Sequence, residues 1–98
     1  MEKEEHIQQY FNMSEEVAQG TYSNMAVISH SSSEFILDFV RLVPGIRKGT
    51  VMSRIIMSPE HAKRLLFALQ DNISKYESHF GEIKVPQNVP LPIAHGDA

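Results

Sequence analysis

The sequence predicts an α+β fold: an antiparallel meander of three to four strands followed by one long C-terminal helix. Three observations carry this reading. First, three stretches rich in strand-forming residues lie in tandem: TYSNMAVISH (Thr21–His30), EFILDFVRL (Glu34–Leu42) and TVMSRIIM (Thr50–Met57). Second, the connections between them are short, SSS (Ser31–Ser33) and VPGIRKG (Val43–Gly49), and short connections make antiparallel neighbours. Third, after Met57 the apolar residues switch to spacings of three and four, at Ala62, Leu65, Leu66, Leu69, Ile73, Tyr76 and Phe80. That spacing forms one narrow stripe on a helix. With 98 residues there is material for one small domain, whose core is thin because a domain of this size buries only ~60–70% of its unfolded surface.

The elements follow in order. MEKEEH is a charged end. In IQQYFNM, the residues Ile7, Phe11 and Met13 share one side of a period-2 pattern that Gln9 interrupts, so residues 1–14 form an N-terminal segment with a candidate edge strand. SEEVAQG reads as a connection broken by Gly20. The compact domain spans residues 15–83. Its helix, Pro59 to Phe80, opens with Ser58 as N-cap, Pro59 in the first turn and Glu60 toward the positive dipole end, and stops at Gly81. His61 stands where a capping box would place an acid. The helix is long enough, at ~33 Å, to lie across the sheet, and its stripe is expected in the core. Residues 84–98 hold three of the five prolines and read as an extended tail, either a free terminus or a docking peptide for an aromatic-lined groove.

Pairing the strands yields a surface. Leu42 opposite Thr50 sets Asp38 against Arg54, a favourable cross-strand ion pair. Ile28 opposite Ile36 gathers Ile28, Ile36, Val40, Met52, Ile56 and the Asp38–Arg54 pair on one face, and Val27, Leu37, Phe39 and Ile55 on the other. Both faces are then apolar, and one helix covers only one of them. The expected interface is Ile28, Ile36, Asp38, Val40, Met52, Arg54 and Ile56, or the Val27, Leu37, Phe39 and Ile55 set if the helix covers the first face. Phe67, which projects among charged residues away from the stripe, is a further candidate. A homodimer follows, or a dimer of dimers if Phe67 marks a second contact.

Little in the chain speaks for catalysis, and no enzyme, cofactor or metal site is expected. The absence of cysteine removes disulfides, thiol nucleophiles and thiolate ligands. The five histidines, His6, His30, His61, His79 and His95, have no ligand spacing. HSSSE, at His30–Glu34, reads as polar turn chemistry rather than a nucleophile and its base. PGIRKGT is not a phosphate-binding loop, yet Arg41, Arg47 and Lys48 make a candidate anion site. A net charge of −3 argues against general affinity for nucleic acid. No apolar run is long enough to span a membrane, and the acidic start lacks the apolar core of a secretory signal, so the expected compartment is the cytoplasm.

The pieces YSN, EFILDF, PG, SRI, SPEHAKRLL and NISKYE, between about Glu15 and Ile83, resemble a family of short prokaryotic proteins catalogued only as a domain of unknown function. The resemblance implies a compact α+β domain and no assigned activity. The order of a meander and then a long helix is also similar to the export chaperone family SecB, a likeness of architecture that transfers no residue roles. Two functions are thereby expected. One is a non-enzymatic protein-interaction or oligomerisation module with an unknown protein partner, SecB-like peptide binding being one version. The alternative is nucleic-acid or anion binding through the Arg41, Arg47 and Lys48 region of a dimer.

Overall fold

A computed structural model of the chain describes residues 10–86. In order they form α1 (Glu15–Ala18), β1 (Met25–His30), β2 (Phe35–Arg41), β3 (Thr50–Met57) and α2 (Pro59–Phe80). The strands make one antiparallel sheet in the order β1-β2-β3, so among the described residues β1 and β3 are its edges. The predicted meander and final helix are present with three strands. Of the candidate N-terminal strand, residues 1–9 lie outside the described residues, while Tyr10 is helical and residues 11–14 contain no strand. The proline-rich tail lies outside them from residue 87 onward.

The stretch expected as a plain connection contains a single helical turn, α1. Ser14 caps it, its Oγ accepting from the Val17 amide at 3.2 Å, and Glu15 and Glu16 sit in the first turn where the dipole favours acids. Four residues are too few to show a period, which is why only the cap betrays them.

The first hairpin corrects the expected register by one residue. Ile28 pairs with Leu37, not Ile36, and Val27 pairs with Asp38. The cause is the turn. The Ser31 amide donates to the Glu34 carbonyl at 2.9 Å, and Ser31 Oγ accepts from the amides of Ser33 and Glu34 at 3.2 Å each. Glu34 is thus absorbed into the turn rather than beginning the strand. Because side chains alternate along a strand, this single step moves Ile28 to the face of Leu37 and Ile55, and Val27 to the face of Asp38 and Arg54.

The second hairpin has the expected register at one end only. Ile36 faces Ile56 and Asp38 faces Arg54, but the ladder shifts between Phe39 and Val40, so that Val40 meets Val51 and Arg41 meets Thr50. Met52 is the extra residue of this irregularity. Skipping Met52 moves Thr50 from Leu42 to Arg41, and on the β1 side both backbone groups of Leu42 are taken by the side chain of Asn24. The Leu42 amide donates to Asn24 Oδ1 at 2.8 Å, and Asn24 Nδ2 donates to the Leu42 carbonyl at 3.0 Å. The returning loop closes tightly here: a Cβ at Gly49 would lie 2.7 Å from both Leu42 Cδ2 and Val40 Cγ1.

Helix α2 begins and ends where the sequence places it. Ser58 Oγ accepts from the His61 amide at 3.2 Å, and Gly81, at φ 99°, donates to the Glu77 carbonyl at 2.9 Å. The expectation that its stripe is core does not hold within one chain. No residue of α2 is buried, and Leu66 and Leu69 are 47% and 55% exposed. The buried core of the described residues is Leu37 and Val40, both on the central strand. Val40, expected on an exposed face, is therefore part of the core.

Candidate interaction surface

The register and the start of α2 together build an apolar cleft. Met57, Leu37, Phe35 and Ile28 share one face of the sheet, and Ser58 alone separates β3 from α2. A joint this short sets the first turns of the helix over that face. Ala62, Leu65, Leu66 and Leu69 form the opposite wall of an open cleft of about 300 Å³. All of the lining side chains are hydrocarbon or thioether, so nothing in the cleft could orient a polar ligand by hydrogen bonding.

Beyond the cleft the stripe continues through Ile73, Tyr76 and Phe80. The rings of Tyr76 and Phe80 lie 5.0 Å apart, and Phe80 is 71% exposed. The opposite side of the helix is a solvated charged face with i,i+4 ion pairs at 2.8 Å, Glu60 with Arg64 and Asp71 with Lys75. Such exposed pairs contribute only tenths of a kcal/mol each. Phe67, singled out as a contact candidate, has a local companion there: Lys63 Nζ lies 5.8 Å from its ring centroid, within cation–π range. The cations near the helix start are thus engaged by Glu60 and Phe67.

The other sheet face carries Val27, Ile36, Asp38, Arg54 and Ile56. Arg54 grips Asp38 with two hydrogen bonds, Nε to Oδ1 at 2.7 Å and Nη2 to Oδ2 at 2.9 Å. The carboxylate is sheltered while the guanidinium reaches water, with side-chain exposures of 15% and 61%. The Arg54 hydrogen bonds, aided by its charge, hold the Asp38 carboxyl below its ordinary value, and the same pairing raises the Arg54 guanidinium. A carboxyl lowered by folding stabilises the fold above its unfolded pKa and ceases to do so as pH falls through the folded one. Asp38→Asn is therefore expected to melt below the parent at pH 7, with the gap narrowing once pH drops under ~4. A gap that stays constant in thermal melts from pH 7 to pH 3 would refute this role.

Of the candidate interface residues, Ile36, Asp38, Arg54 and Ile56 share this open face, Ile28 lines the cleft behind it, Met52 sits at the irregularity, Val40 is buried and Phe67 lies on the charged side of α2. Two of the three candidate anion residues line neighbouring depressions beside the β2–β3 loop, which share Val43 and Ile46. Arg41 lines one depression with Thr50 and Met52, and Arg47 lines another with Asn24 and Gly45. Arg54 adds nothing to them, since Asp38 holds it. Asn24 is the structural residue that sequence reasoning missed, its only signal being a polar amide at the mouth of a strand. Among the described residues no cluster of three or more His, Asp or Glu could hold a metal, and no helix is long and apolar enough to cross a membrane.

A three-stranded antiparallel meander closed by one long amphipathic helix defines a small α+β domain. The chain matches the family described as "Protein of unknown function (DUF3467)" over residues 1–85, and it belongs to that family. No curated protein and no solved structure shows a significant match. The likeness to SecB rests on the order of meander and helix alone.

Proposed function

We propose that this protein is a non-enzymatic protein-interaction module that works as a homo-oligomer. The observation that supports it is the helix: 22 residues carry an unbroken apolar stripe, and none of them is buried within the chain. A helix of this kind draws its stability from packing that stripe, because propensity alone leaves isolated helices marginal in water. Burial of apolar surface stabilises by ~25 cal/mol per Å², so covering the stripe would add substantially to the two-residue core of the described residues. Binding an apolar segment of another protein in the same place, as a SecB-like module does, is the version in which the covering chain is a client. Light scattering at micromolar concentration is expected to give at least twice the 11.1 kDa chain mass. A single 11.1 kDa species, unchanged by concentration, would overturn the reading.

A further inference from the structure

We infer that the cleft between α2 and the sheet is filled by the C-terminal half of α2 from a second copy, the two helices lying antiparallel about a twofold axis. This rests on the oligomeric reading above and names its contact. Each copy offers both halves of the joint: an apolar cleft walled by the first half of the stripe, and an uncovered set, Ile73, Tyr76 and Phe80, on the second half.

The stripe is complementary to its own reverse. With Leu69 of one copy facing Ile73 of the other, Leu65 comes alongside Tyr76, and Ala62 comes opposite Phe80. The smallest member of the stripe thus receives the largest and most exposed one, as close packing requires. A parallel arrangement sets Ala62 against Ala62 and Phe80 against Phe80, leaving a gap at one end and a crowd at the other. Antiparallel packing also opposes the two helix dipoles. The arrangement is isologous and closes on itself, with no free copy of the surface remaining.

Volume and area agree with it. The cleft of about 300 Å³ is twice the ~150 Å³ that accommodates one benzene ring, which is room for the Tyr76 and Phe80 rings. At roughly 200 Å² for a fully exposed large side chain, the exposed fractions of the six large stripe residues amount to about 600 Å² per copy. Ile28 and Ile55, both partly exposed on the cleft face of the sheet, bring this toward the ~800 Å² per partner of a standard stable interface.

The absence of native cysteine makes the test clean. Chains carrying Ala62→Cys are mixed with chains carrying Phe80→Cys at a concentration where light scattering shows dimers, and then oxidised. The expected product is the mixed disulfide, with little cross-linking of either variant alone. Separately, Tyr76→Ala is expected to raise the dimer dissociation constant by at least 100-fold while the chain stays folded, since Tyr76 is half exposed within its own chain. A dimer in which Ala62→Cys links to itself, or whose affinity Tyr76→Ala leaves unchanged, overturns this contact and leaves the oligomeric reading standing. A parent protein that is monomeric overturns both.

Discussion

Leu37→Ala is expected to lower the thermal midpoint by about 8 °C or more. Leu37 lies at the centre of the middle strand, paired to Ile28 on one side and Ile55 on the other, and its side chain also forms the floor of the cleft. Only Val40 shares its degree of burial among the described residues. Truncating a buried leucine costs ~2–5 kcal/mol, and each kcal/mol displaces the midpoint of a domain this size by roughly 4–8 °C. With two buried side chains among the described residues, there are few contacts to compensate. A midpoint within 5 °C of the parent, measured by circular dichroism, would show that the core lies elsewhere.

Leu66→Ala and Leu69→Ala discriminate between a chain that stands alone and one that is covered. Both residues are about half exposed in the single chain. If they remain so in solution, each truncation removes only part of the transfer free energy, of the order of 1 kcal/mol. If another chain buries the stripe, each costs the ~2–5 kcal/mol of a core leucine. Association also ties stability to protein concentration, so the parent's denaturation midpoint should rise with concentration and the variants' should rise from a lower start. Urea titrations at two concentrations a hundredfold apart read this directly. Small losses that do not change with concentration would count against burial of the stripe by any second chain.

Much of the architecture was legible because its signals are local. Ser58, Pro59 and Gly81 bracket α2 to the residue, and the order of strand-forming stretches and short connections dictates the meander. The Asp38–Arg54 pair was readable from charge and spacing, since it lies on the part of the β2–β3 ladder that has no irregularity. What was not legible depends on single hydrogen bonds. Ser31 draws Glu34 into the first turn and slips β1 by one residue, which moved Ile28 from the open face to the cleft. Asn24 occupies the backbone of Leu42 from 18 positions away, and β3 skips Met52 opposite the end of β2. Neither preference is visible in a hydrophobic pattern. Amphipathicity shows that the α2 stripe wants cover; it is silent on whether the cover is the chain's own sheet or another molecule.

The single-residue joint at Ser58 makes α2 a lever. Cap, proline and strand end follow one another without slack, so the helix direction is set by the twist of β3. Over ~33 Å of helix, a tilt of about 5° at the joint swings Phe80 through ~3 Å, most of the width of a side-chain contact. Among the described residues β3 is an edge strand, paired on one side only, and it carries the irregularity at Met52. A molecule that paired with the free side of β3 and altered its twist would aim the far end of α2 at a different target.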